Sequence, residues 1–166
     1  MLTIRALEPQ DADMMYLAEN DISAWEYSDY LAPLSKEMLT QYALTYDADP
    51  FRAGQLRLIA DLDGTPVGIL DLFDISARHL RAETGIFILP DFRGKGLATE
   101  SLQLVKKYAF TRLGLHQLTA TVGKRNEPAL KCFKNAGFNI TGSRPDWLRK
   151  PSGYEEAIIL SSILTD

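Results

Sequence analysis

The sequence predicts an α+β domain built on one mixed, mostly antiparallel sheet, and three observations carry that reading. Short apolar runs joined by tight turns crowd residues 55–90. Apolar positions at three- and four-residue spacings replace them over 97–113. Strand and helix patterns then alternate to the C-terminus.

Taken in order, Leu2–Ala6 reads as an opening strand, and Pro9 with Asp11 starts a helix whose partly apolar face is Met14, Met15, Leu17 and Ala18. Residues 21–34 are aromatic and acidic (Trp25, Tyr27, Tyr30, then Pro33) and read as a short helix or loop. Ser35 opens a second helix to about Tyr46, which Asp49-Pro50 ends. Gln55–Asp61 and Val67–Phe73 are strands around Asp63-Gly64, a two-residue hairpin signal. Arg81–Leu89 is a third strand, closed by Pro90, and the short connections favour antiparallel pairing. Leu97, Ser101, Leu104, Val105, Tyr108, Ala109 and Leu113 mark a helix ended at Gly114. Leu118–Val122 is a buried strand, and Glu127–Ala136 is a helix with Pro128 in its first turn and Gly137 past its end. Phe138–Gly142 is a strand, and Pro151-Ser152-Gly153 turns into a last one, Tyr154–Leu164.

With 166 residues the chain fits one domain, residues 1–166, large enough to bury roughly two-thirds of its unfolded surface without a disulfide or metal staple. Near-average composition excludes disordered, collagenous and low-complexity classes. No apolar run approaches the ~20 residues of a membrane helix, and Met1–Arg5 lacks the apolar core of a secretion signal. A lone cysteine, Cys132, suits a reducing cytoplasm. His79 and His116 are isolated, no Cys/His cluster has ligand spacing, and no metal is expected. No stripe of interleaved bases and aromatics points to nucleic acid. The net charge of −4 conceals an asymmetry: residues 1–50 carry two bases against ten acids (−8), and residues 93–150 carry twelve bases against three acids (+9). An acidic face draws cations, and a basic one draws phosphates.

The most informative segment is Ile86-Phe87-Ile88-Leu89-Pro90-Asp91-Phe92-Arg93-Gly94-Lys95-Gly96-Leu97-Ala98-Thr99, an apolar strand entering a glycine-rich turn that opens a helix. Such a turn points several backbone N–H groups at one spot, beside a positive helix N-terminus, and makes an anion site suited to a pyrophosphate. A dinucleotide fingerprint needs glycine where Thr99 stands and opens a parallel unit, whereas a strand meander precedes this turn. A Walker P-loop pattern is absent. A purely structural turn explains neither Arg93 nor Lys95.

Arg93-x-x-Gly96-x-Ala98 after an apolar strand resembles the acyl-CoA pyrophosphate loop of the GNAT N-acetyltransferases. Asn126-Glu127-Pro128-Ala129, followed by Phe133-Lys134-Asn135-Ala136-Gly137-Phe138, is similar to that family's next helix and its Gly-Phe ending. The likeness runs from Arg5-Ala6-Leu7 to the last strand, and Leu70–Arg81 and Phe110–Leu118 look most like spermidine and ribosomal-protein N-terminal acetyltransferases. It implies a GNAT-like fold with helices on both faces of the sheet and acetyl-CoA as cosubstrate. Ile86, Phe87 and Ile88 would offer backbone groups to pantetheine on a strand splayed from its parallel neighbour. Arg93, Gly94, Lys95, Gly96, Leu97, Ala98 and Thr99 would hold the pyrophosphate, with Asn126, Ala129 and Phe133 flanking the cofactor.

Acyl transfer to an amine requires a polarised carbonyl, an uncharged amine, an exit for its proton and a stabilised thiolate. The resemblance places the oxyanion donor at a backbone N–H near Ile88. Glu83 shares a strand face with Gly85, Phe87 and Leu89 and is the candidate base. Many relatives carry Tyr where Phe133 stands, so the expected acid is missing; Tyr154 is the candidate hydroxyl in its place. The resemblance puts the acceptor wall in the N-terminal segment, which holds Glu19, Asp21, Glu26 and Asp29; Asp71 and Asp74 join from a strand. Trp25, Tyr27, Tyr30 and Phe51 are further candidates for lining a cleft. These acids favour a cationic acceptor: a polyamine, an aminoglycoside or a basic protein's N-terminus. A homo-oligomer, most simply a dimer, is expected from the family. The competing readings are a non-catalytic acyl-CoA-binding module and a nucleotide oxidoreductase, which would bind NAD instead.

Overall fold

The computed structural model describes residues 1–25, 28 and 31–165. Its elements are strand β1 (Leu2–Ala6), a 3-10 turn at Pro9–Asp11, and helices α1 (Ala12–Glu19), α2 (Ile22–Trp25), α3 (Lys36–Leu44) and α4 (Pro50–Ala53). Strands β2 (Leu56–Leu62), β3 (Thr65–Ser76) and β4 (Arg81–Ile88) follow, then a 3-10 turn at Pro90–Phe92. Helix α5 (Leu97–Thr111), strand β5 (Gln117–Gly123), helix α6 (Glu127–Asn135) and the hairpin of β6 (Asn139–Lys150) and β7 (Gly153–Ile163) complete the chain.

The strands form one sheet in the order β1-β2-β3-β4-β5-β7-β6, antiparallel throughout except for β4 and β5. Asp63 (φ 51°) and Gly64 (φ 85°) both take the left-handed conformation that a tight β2–β3 turn requires. Because side chains alternate across a strand, each central strand feeds two layers. Leu58, Ala60, Leu70 and Leu72 pack with Leu102, Val105 and Ala109 of α5 and Phe133 of α6; Ile59 and Ile69 pack with Met15 and Ala18 of α1 and Leu39 of α3. Helices therefore cover both faces.

The structure departs from the sequence reading at three places. Asp49-Pro50 ends α3's segment and also starts α4, since Asp49 accepts from the N–H groups of Phe51 and Arg52 while Pro50 occupies the first turn. Strand β6 continues to Lys150, eight residues beyond Gly142, although almost all of it is exposed. Pairing with β7, not an apolar alternation, holds it, and register shifts accommodate Gly142 and the Asp146 bulge (φ 50°). Residues 22–25 form one helical turn; the candidate aromatics Tyr27 and Tyr30, with Glu26 and Asp29, lie outside the described residues.

Candidate active site

Strands β4 and β5 pair only at Arg81–Gln117, Ala82–Leu118 and Glu83–Thr119. Beyond those three the strands diverge, and Thr84–Ile88 faces Ala120–Gly123 across an opening. The Leu89 N–H bonds the Val67 carbonyl at 2.9 Å, so strand alternation turns the N–H and C=O of Ile88 and Ile86 away from β3 and into that opening. Strand β4 is thus splayed from β5, with the Ile86 main-chain groups and the Ile88 N–H turned to the opening while the Ile88 carbonyl accepts from Arg93 Nε.

At the C-terminal end of β4 the glycine-rich turn shapes a candidate anion site. Gly94 (φ 74°) and Gly96 (φ 79°) are left-handed, and nothing lies within 4 Å of where a Cβ would stand at either. Gly96 caps α5 without a side-chain bond. Among the described residues, the N–H groups of 96–99 find no acceptor. Open space, unpaired donors and a 15-residue helix pointing its positive end at them fit a pyrophosphate. The two cationic side chains of the turn are used elsewhere. Arg93 Nε donates to the Ile88 carbonyl at 2.8 Å and its guanidinium lies over Phe87; Lys95 donates to the Asp91 carbonyl at 3.0 Å. Asn126 caps α6 by accepting from the Ala129 N–H at 3.2 Å, and it lines the same opening with Pro128.

The opening continues into a cavity of about 1170 Å³ between the sheet and α1–α3. Trp25, Leu39, Tyr42 and Phe87 give it an apolar wall, and Glu83, Asp71 and Arg57 are its charged lining near β2–β4. Arg57 was not anticipated from the sequence. Its guanidinium bonds Asp71 through two nitrogens at 2.8 and 2.7 Å and Glu19 at 2.5 Å, and the Tyr46 hydroxyl accepts from its backbone N–H. Burial opposes the charge on Arg57, yet the Asp71 hydrogen bonds and the charges of Asp71 and Glu19 outweigh it and raise its pKa. Arg93 similarly reaches Asp21 at 3.5 Å across the cavity mouth; hydrogen bonds from Ser23 first, and then the charge of Arg93, hold the Asp21 carboxyl below its usual range. Glu83 differs: it is half-buried, lines the cavity, and has no hydrogen-bonding or ionic partner among the described residues.

Several sequence candidates stand apart from this cavity. Tyr154 is 63% exposed at the tip of the β6–β7 hairpin, and Asp74 is exposed in the β3 bulge; neither lines the cavity. Phe133 is buried in the core, edge-on to Phe138 with ring centroids 5.1 Å apart. The one cysteine, Cys132, faces Thr99 of α5 at 3.7 Å, and burial pushes its thiol pKa up. Among the described residues no three His, Cys, Asp or Glu side chains gather to hold a metal.

A parallel strand pair splayed beside a glycine-rich helix start, with a carboxylate unpaired among the described residues in the adjoining cavity, is an arrangement suited to an acyl-CoA-dependent transferase. The comparisons agree. Residues 1–139 match the acetyltransferase (GNAT) domain family, and the chain belongs to that family. Spermidine N(1)-acetyltransferase of Escherichia coli (strain K12) is 32% identical over 139 residues, which are 84% of this chain and 73% of that protein. YdaF of Bacillus subtilis (strain 168), provisionally described as a ribosomal N-acetyltransferase, is 29% identical over 98% of this chain and 91% of its own. The crystal structure of Vibrio cholerae spermidine N-acetyltransferase in complex with CoA and spermine superposes with a TM-score of 0.85 at 24% identity, covering 98% of this chain and 95% of that one, and attests the fold. The chain is an N-acetyltransferase with acetyl-CoA as cosubstrate.

Proposed function

We propose that this enzyme acetylates a primary amine of a cationic acceptor, a polyamine first and a basic protein N-terminus second, by direct attack within a ternary complex. The observation that carries the reading is Glu83, a cavity carboxylate with no cation of its own among the described residues, placed at the last residue before β4 and β5 part. The acetyl thioester supplies the activated acyl group. Turn residues 93–99 and the Ile86–Ile88 backbone hold the donor, and the Ile88 N–H supports the developing oxyanion. Glu83 draws the acceptor ammonium in and takes its proton, directly or through water. Glu19 and Asp71 already neutralise Arg57, so their part in the acceptor wall is to leave a net negative lining. Similarity to spermidine acetyltransferases supports the polyamine class, and a V. cholerae enzyme of that name, 25% identical, is described as dodecameric, which supports a homo-oligomer here. The lone Cys132 fits a cytoplasmic setting.

The test is CoA-thiol release with a panel of spermidine, diamines, basic peptides and neutral or acidic amines, with products identified by mass. Turnover confined to neutral or acidic amines overturns the acceptor class. The second reading, a non-catalytic acyl-CoA-binding module, draws on Phe133, which has no hydroxyl to offer a departing thiolate. Tight acetyl-CoA binding by calorimetry, with no thiol release for any amine, would establish it.

A further inference from the structure

Buried hydroxyls normally have a partner. Thr84 is 3% exposed, and its Oγ1 has none among the described residues. The other such atom, the Ser101 hydroxyl on α5, does not line the cavity, whereas Thr84 does. Thr84 stands one residue beyond Glu83–Thr119, the last β4–β5 pair, where the opening begins. By strand alternation it lies on the face of Ala82 and Ile86, the face packed with Phe133, and opposite Glu83. The cavity's other hydroxyls differ: Thr121 of β5 is only half-buried, and the remaining three are engaged or exposed. Ser23 already donates to Asp21 at 2.6 Å, Tyr42 has a partner, and Ser28 is exposed.

We propose that the Thr84 hydroxyl is the hydrogen-bond donor to the CoA sulfur, stabilising the thiolate as the acetyl group departs. The inference rests on the acetyltransferase reading above. As the amine nitrogen bonds to the acetyl carbon, the C–S bond breaks and its electron pair stays on sulfur. The amine proton leaves toward Glu83 or water, and the thiolate later takes a proton from solvent. Thr84 keeps its own proton throughout; its contribution is a hydrogen bond that strengthens as negative charge collects on sulfur.

The experiment compares the wild type with Thr84→Val, which keeps the shape and removes the hydroxyl, and with Thr84→Ser, which restores it. The first readout needs no turnover: the ultraviolet thiolate absorbance of bound CoA is titrated against pH, with the free protein's signal subtracted. The bound thiol is expected to titrate about one pH unit higher in Thr84→Val than in the other two, a tenfold loss of thiolate stabilisation. The second is kcat with spermidine, expected to fall about tenfold in Thr84→Val while both KM values stay within about twofold, and to recover in Thr84→Ser. Thermal stability should not fall in Thr84→Val, because no intrachain bond is lost. Should that variant fold poorly, Thr84→Ala carries the same comparison. Coincident titrations with equal kcat overturn the proposal. The two readings fail separately. A wild type that shifts the bound thiol yet acetylates no amine sinks the function and keeps the donor. One that turns over amines as Thr84→Val does sinks only the donor.

Discussion

Toward β5, strand β4 and its turn offer main-chain groups: the N–H and C=O of Ile86 and the N–H of Ile88, then the N–H groups of residues 96–99, unpaired among the described residues. Toward α1 and α3 the site is built from side chains, Arg57 with Glu19 and Asp71, Glu83, and aromatic residues. Backbone recognition tolerates almost any side chain, provided that glycine stands where φ is positive. Side-chain recognition depends on which charges cancel. The acidic excess of residues 1–50 illustrates this. Asp11 pairs with Arg5, Asp13 with Lys36, Glu19 with Arg57, Asp21 with Arg93 and Asp47 with Arg52. Half of those ten acids are thus paired internally, whereas Glu83 of β4 has no ionic partner among the described residues.

The sharpest way to separate the two sides is Glu83→Gln. It should lower kcat/KM for the amine by about 100-fold or more at neutral pH and leave the acetyl-CoA dissociation constant unchanged, as read by steady-state kinetics and calorimetry. Gly96→Val attacks the other side. A branched residue at φ 79° is strained even with open space around it, so acetyl-CoA affinity should weaken by at least about tenfold. Reversed assignments for these two variants would break the division.

Arg57→Met sharpens the acceptor side. It strands Glu19 and Asp71, whose side chains are 11% and 32% exposed, and should cost about 3 kcal/mol in urea unfolding. Adding Asp71→Asn to it should recover part of that loss. The smallest effect concerns pH. The Arg5 hydrogen bond, foremost, holds the Asp61 carboxyl below its usual range. A depressed carboxyl stabilises fully above its unfolded value of about 4 and loses that contribution as pH falls through the folded value. The urea midpoint should therefore drop below pH 4, and Asp61→Asn should flatten that drop by less than about 1 kcal/mol, Arg5 being partly exposed.

The anion turn, the α5 and α6 helices and the β2–β3 hairpin were legible in the chain because each is fixed by local rules: left-handed glycines, three- and four-residue apolar spacing, Pro128 in a first turn, Asp63-Gly64 between strands. Glu83 was legible for the same reason, since strand alternation alone sets its face. Arg57 was not. Read along the chain it is an outward residue between Leu56 and Leu58, and its partners lie 38 and 14 residues away. Phe133 was named from motif position and Tyr154 as the hydroxyl in place of the missing acid, and the structure buries the first in the core and leaves the second exposed at a hairpin tip.

Local chemistry thus dictates where the backbone turns and where an anion can dock, because such features involve residues a few positions apart. The three-residue limit of β4–β5 pairing, the cancellation of Glu19 and Asp71 by Arg57, and the burial of a Thr84 hydroxyl unpartnered among the described residues arise only when distant segments meet. Charge pairing and burial are properties of that meeting, which is why the side-chain lining of this cavity was decided by the tertiary structure.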